Sequence, residues 1–214
     1  VCENATCTLI DSEVKFNQLT QLSAFQQSVF TIQDCEIEGG NNKGIYATSS
    51  QVTISDSLIS DHSGVQIFAS ERSEVILSAV EVKSGDSAGL FAKESELTAS
   101  NCIFFGHKGS NVLLGAAAKA AFTDCKISNG DKNGILAGTE VVVSLKRSIL
   151  FNHKRTQVSA TEGAEILMTE CEIYDGNASG IFLSQVARTE VTDTRIHGHR
   201  DDQLILQDCS YVVF

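Results

Sequence analysis

The chain is predicted to be all-β, a right-handed parallel β-helix solenoid of about nine coils, each of 22–23 residues with three short strands. Three observations predict it. A four-residue segment recurs every 22 or 23 positions, its first residue being Gln21, Gly44, Gln66, Gly89, Asn111, Gly134, Gln157, Gly180 and Gln203 in turn. Small or apolar residues come in pairs spaced by two, as on one face of a strand, and the 3.6-residue spacing of a helical repeat is missing. Proline is absent and glycine numbers 16, which keeps every amide free to donate and leaves the turns to Gly, Asn and Asp.

Each coil reads as three elements in order. The first strand turns pairs such as Phe30/Ile32, Val52/Ile54, Val75/Leu77 and Val143/Leu145 inward. The second carries Ser12/Val14, Cys35/Ile37, Ser57/Ile59, Cys102/Phe104, Cys125/Ile127 and Cys171/Ile173, where a small side chain precedes a larger one. The third carries Leu22/Ala24, Ile45/Ala47, Ile67/Ala69, Leu90/Ala92 and Ile135/Ala137. Stacking each strand on its equivalent in the next coil, roughly 4.8 Å away, joins these pairs into six inward ladders. No coil buries its core alone, so residues 1–214 read as one domain, a segment of a longer protein. Tyr211-Val212-Val213-Phe214 reads as the opening of another strand, and exposed coil ends favour end-to-end self-association.

A polar pattern with twice that period rides on the repeat. Four residues ahead of each anchor stand Asn17, Gly40, His62, Gly85, His107, Gly130, His153, Gly176 and His199. Coils with histidine there carry Gln66, Asn111, Gln157 or Gln203 at the anchor, and the others carry glycine. One position further on, Asp86, Lys108, Asp131 and Lys154 alternate in charge and can pair between coils. His62, His107, His153 and His199, with their Gln or Asn partners, are the binding candidates, a row able to hydrogen-bond a repeating polymer. Two coils separate successive imidazoles by roughly 9.6 Å, too far to share one metal ion, so no metal site is expected. The structural reading, which an alternation running the full length favours over a local site, is that each imidazole packs on its turn and bonds a neighbouring backbone group or the Gln or Asn of its own coil, while the intervening glycines take the left-handed conformation.

Composition narrows the function. A net charge of −11 argues against nucleic acid, which requires clustered Lys and Arg, and no run of 18 apolar residues offers a membrane span. Seven cysteines without a CxxC pair follow the repeat, and they read as free core thiols, which leans the localisation towards the cytoplasm. Before the second strand, Asp11, Asp34, Asp56, Asp124 and Asp193 form a column, read as turn residues. The densest polar group is His197, His199, Arg200, Asp201 and Asp202, the catalytic candidates if chemistry occurs.

Units such as Phe30-Thr31-Ile32-Gln33-Asp34-Cys35-Glu36-Ile37 and Gly44-Ile45-Tyr46-Ala47 resemble the pectin-lyase-like superfamily of right-handed parallel β-helix proteins, over nearly the whole chain. That resemblance implies two function classes, since the superfamily holds polysaccharide lyases, hydrolases and epimerases beside non-catalytic repeats. The C-terminal cluster loosely resembles the acidic and His-Gly elements of polygalacturonases, whose Asn-Thr-Asp and Arg-Ile-Lys elements do not occur here. Coils of constant length leave no long loops to wall a cleft. The expectation is therefore a non-catalytic module that presents repeat faces to a protein or polysaccharide, without a cofactor. The alternative is a carbohydrate-active enzyme with a groove on one sheet, for which calcium is the cofactor a lyase would use.

Overall fold

The computed structural model describes residues 1–213 as a right-handed β-solenoid of three parallel sheets. Sheet 1 stacks ten strands, from Thr6–Ile10 and Val29–Gln33 to Arg188–Thr192 and Val212–Val213. Sheet 2 stacks nine short ones, Glu13–Lys15 to Arg195–His197, and sheet 3 ten, from Cys2–Glu3 and Leu22–Phe25 to Leu204–Gln207. The register carries no slip: Ile45, Ile67, Leu90, Val112, Ile135, Val158, Ile181 and Leu204 align across sheet 3. Phe214, the last residue of the expected final strand, lies outside the described residues, while Val212 and Val213 pair with Thr189 and Glu190.

The inward ladders form one continuous core, from Cys2 and Ala24 at one end to Leu183 and Val191 at the other. Its layers compensate in size. Phe104 and Phe122 meet edge to face at 5.9 Å, with Ala99 and Ala120 in the same stretch. A one-residue slip would turn every such side chain outward, so burial of these ladders holds the register.

The coil turns three corners, and each places a residue in the left-handed region. Between sheets 1 and 2 that residue is Asp11, Asp34, Asp56, Ala79, Asn101, Asp124, Arg147, Glu170 or Asp193. The carboxylate column is thus a row of turn residues, for which Asp and Asn suit the backbone.

The small residue that follows this corner lies just ahead of the strand rather than inside it, and it does more than fill space. Ser57, Ser148 and Thr194 accept the amides of Cys35, Cys125 and Cys171 from the preceding coil, at 3.0–3.2 Å. Cys35, Cys102, Cys125 and Cys171 donate to the carbonyl two residues back. They are buried free thiols, but the free-thiol reading fails for Cys2 and Cys7, which form a disulfide. The chain turns the corner from sheet 3 to sheet 1 between them and brings their Cα atoms to 6.0 Å.

Candidate functional site

The corner between sheets 2 and 3 holds the histidines. Their imidazoles point inward: His62, His107 and His153 are at most 1% exposed and His199 is 8% exposed. Nδ1 of His62 donates to Gln66 Oε1 at 2.5 Å, Nδ1 of His107 to Asn111 Oδ1 at 2.9 Å, and Nδ1 of His153 to Gln157 Oε1. That tautomer leaves Nε2 bare. Nε2 of His153 accepts from Asn111 Nδ2 at 3.0 Å, while Nε2 of His62 and of His107 meets no partner among the described residues. Burial, the largest cause, holds the His107 and His153 imidazoles down to about 4 and lowers His62 as well. Gln66, Asn111 and Gln157 are equally enclosed, and Asn111 Nδ2 gives its second N–H to the Ser128 carbonyl at 2.7 Å.

This placement corrects the surface row expected of these residues. A polymer on the outside of the solenoid does not reach His62, His107, His153, Gln66, Asn111 or Gln157, because their polar atoms face the turn interior. At the last coil, His199 bonds the Gly176 amide and the Ile173 carbonyl, and Gln203 is exposed.

The glycines are explained by space and not by backbone angle. Gly40, Gly85, Gly130 and Gly176 do not have positive φ, and the left-handed residue is the one before them, such as Gly39, Ser84, Asn129 or Asp175. A Cβ on Gly130 would lie 2.9 Å from Asn111 Oδ1 and 3.0 Å from His153 Cδ2. Each glycine coil is therefore the hole that receives an amide from the coil before and an imidazole from the coil after. The charge alternation one residue on does form pairs, Lys108–Asp86 at 2.7 Å and Lys154–Asp131 at 2.8 Å, both exposed.

The C-terminal candidates do not converge. His199 is enclosed, Arg200, Asp201 and Asp202 are exposed on the turn, and His197 sits on the outer face of sheet 2 with Nε2 3.3 Å from Glu172. No salt bridge joins Arg200 to either aspartate among the described residues. The ring of His197 stacks on Tyr174 at 5.5 Å, and Tyr174 on Phe151 at 4.9 Å, within 8° of coplanar. Tyr174 is thus stacked on both faces, and the Lys126 ammonium lies 5.1 Å from the Phe151 centroid.

The outer face of sheet 3 is different. Strand alternation turns Tyr46, Phe68 and Phe91 outward in successive coils, with Phe25 in the adjacent outward row. Their centroids follow one another at 5.4, 5.2 and 5.0 Å with the rings tilted by 53–74°, so no two stack face to face, and all four are half-buried. Leu113 and Leu136 extend the ridge by two coils. The Lys43 ammonium lies 5.1 Å from the Tyr46 centroid and 5.3 Å from that of Phe68. The sequence carries the signal for this ridge, an aromatic two places after Gly44, Gln66 and Gly89, but in the repeat those residues read only as markers of the period.

The sequence pattern of the family described as "Right handed beta helix region" matches residues 1–137 and 110–214, so it covers the whole chain. This chain belongs to the right-handed β-helix family. Among solved structures, the β-helix resembles the periplasmic alginate epimerase AlgG, with 13% identity, a TM-score of 0.68, and 87% of this chain covering 50% of that one. It also resembles the Azotobacter vinelandii mannuronan C-5 epimerase AlgE6 A-module, with 12% identity, a TM-score of 0.55 and coverage of 98% and 58%. For the pectate lyase Pel9A the values are 9%, 0.56, 89% and 66%. At these identities the likeness is one of fold, and the β-helix spans half to two thirds of the length of these structures. No curated protein sequence matches it.

Proposed function

We propose that this β-helix is a carbohydrate-binding module that lays a polysaccharide along the outer face of sheet 3. The observation that supports the reading is the ridge of Phe25, Tyr46, Phe68 and Phe91. Tilted rings about one coil apart offer apolar faces to the C–H faces of successive sugars, at a spacing close to the length of a pyranose in an extended chain. The β-helices it resembles are an alginate epimerase, a mannuronan C-5 epimerase and a pectate lyase, which supports carbohydrate as the partner class. A binding role, and not turnover, fits a face whose prominent groups are rings without a neighbouring acid–base pair. The test is retention on a panel of immobilised polysaccharides. The intact chain binds at least one polymer, and Phe68→Ala or Phe91→Ala, outward substitutions that spare the core, weakens binding about tenfold or more. A chain that binds no polymer, or whose variants bind as tightly as the parent, refutes the reading.

A further inference from the structure

We propose that the outer face of sheet 2 is a self-association surface, on which a second copy of this chain packs with its coil order reversed, about a two-fold axis along the strand Ile103–Phe105. The apolar side chains of that face point to it first. Elsewhere, the large hydrophobic residues that stand exposed lie in the first two coils, up to Val29, or at the far end, from Leu206 on. Between them only Ile103, Phe105 and Ile149 are exposed among the described residues, by 38–40%. All three point outward from sheet 2, with the half-buried Leu58 and Phe151 in the same two rows. A further coil stacked on either end does not cover a patch in the middle of the solenoid, and contiguous exposed apolar surface marks a contact site.

The charges on the face choose the occupant. Lys126 and Arg195 are exposed, and neither forms a salt bridge among the described residues. They stand in one outward row with Ile103, one coil and four coils beyond it. Glu81 and Glu13 stand in the same row, one coil and four coils before it. A second copy turned end for end about Ile103 therefore sets Glu81 against Lys126 and Glu13 against Arg195, each pair made twice, and Leu58 against Ile149. At the axis Ile103 and Phe105 meet their own counterparts. Glu36 comes opposite Glu172, but each is already engaged within its own chain, by Lys15 at 2.7 Å and by His197 at 3.3 Å. A two-fold axis along the solenoid would instead lay each coil on itself, leaving Lys126 against Ser128 and Arg195 against His197, so the two free cations favour the reversed order. The ridge of sheet 3 lies on another face and stays open in both copies.

Sedimentation velocity of the intact chain over a rising concentration series tests this. The expected result is a monomer–dimer equilibrium that weakens about tenfold or more in Ile103→Arg, in Glu81→Lys and in Lys126→Glu, outward substitutions that keep the circular dichroism of the parent. Within one chain, residues 81 and 126 are two coils, roughly 9.6 Å, apart with Ile103 between them, so their pairing is made across copies. An equimolar mixture of Glu81→Lys and Lys126→Glu is accordingly expected to dimerise about as tightly as the parent, since each contact again joins a carboxylate to an ammonium. A chain that stays monomeric at every concentration, or whose association is indifferent to Ile103→Arg, overturns the surface. A mixture no tighter than its two components overturns the reversed packing.

Discussion

Ala79 holds a backbone angle that its side chain disfavours. Its φ of 54° lies in the left-handed region, in a corner row otherwise filled mostly by Asp and Asn, whose short polar side chains tolerate that conformation. Arg147 sits in the same row and bonds Asp124 twice at 2.7 Å, holding that carboxyl below its usual range. Both partners are exposed, so the pair aligns neighbouring coils more than it stabilises them. Ala79 has no such compensation, and it is exposed. Ala79→Gly is expected to stabilise the chain by ~0.5–1 kcal/mol, the relief of left-handed strain outweighing the added backbone freedom of the unfolded state. An unchanged or lowered urea midpoint would contradict that account of the corner.

The element that distinguishes this solenoid is the turn column in which histidine and glycine alternate. Gly130 receives the Asn111 amide from one side and the His153 imidazole from the other, so Gly130→Ala is expected to cost ~1–3 kcal/mol by overpacking. His153→Ser alone also destabilises, because Gln157 Oε1 loses its buried donor, while Asn111 Nδ2 keeps the Ser128 carbonyl. Combined, the two substitutions are expected to cost less than their sum, since the added methyl then meets a smaller neighbour. Urea unfolding of the four chains measures the coupling, and simple additivity would show that the methyl and the imidazole do not compete for one space. The alternation was legible in the sequence as a two-coil period. Its cause was not, because the glycines answer to side chains 19 and 23 residues away rather than to their own backbone angle.

For the whole molecule, the enclosed imidazoles make stability depend on pH. His107 and His153 are held down to about 4, against roughly 6.5 in an unfolded chain. Between those values the unfolded chain takes up protons that the native state refuses, so stability is complete above about pH 6.5 and falls as the pH drops towards 4. Each such imidazole accounts for up to roughly 3 kcal/mol of the loss. Unfolding followed from pH 7.5 to 4.5 is expected to show this decline, with a shallower slope in His107→Asn. A flat profile across that window would mean that these imidazoles are not excluded from water. The depressed carboxyl of Asp124 acts in the same direction but at lower pH, below the ordinary carboxylate range, so the two contributions separate.

The sequence by itself determined the architecture. Pairs spaced by two and anchors spaced by 22 or 23 residues leave only one way to bury all six ladders, in-register stacking of three strands per coil. It also placed the histidine row and the charged pairs correctly along the chain. Only the tertiary structure decided which way these groups face. A turn residue has no fixed alternation, so whether His107 points to solvent or to Asn111 depends on the coils above and below it. The same holds for Cys2 and Cys7, joined by the path of a corner, and for the aromatic ridge, which exists as a surface only when the coils stack and bring Tyr46, Phe68 and Phe91 together. Local periodicity fixes what is buried within a strand, whereas the contacts of turns and outer faces are made between coils, and those distances are set only by folding.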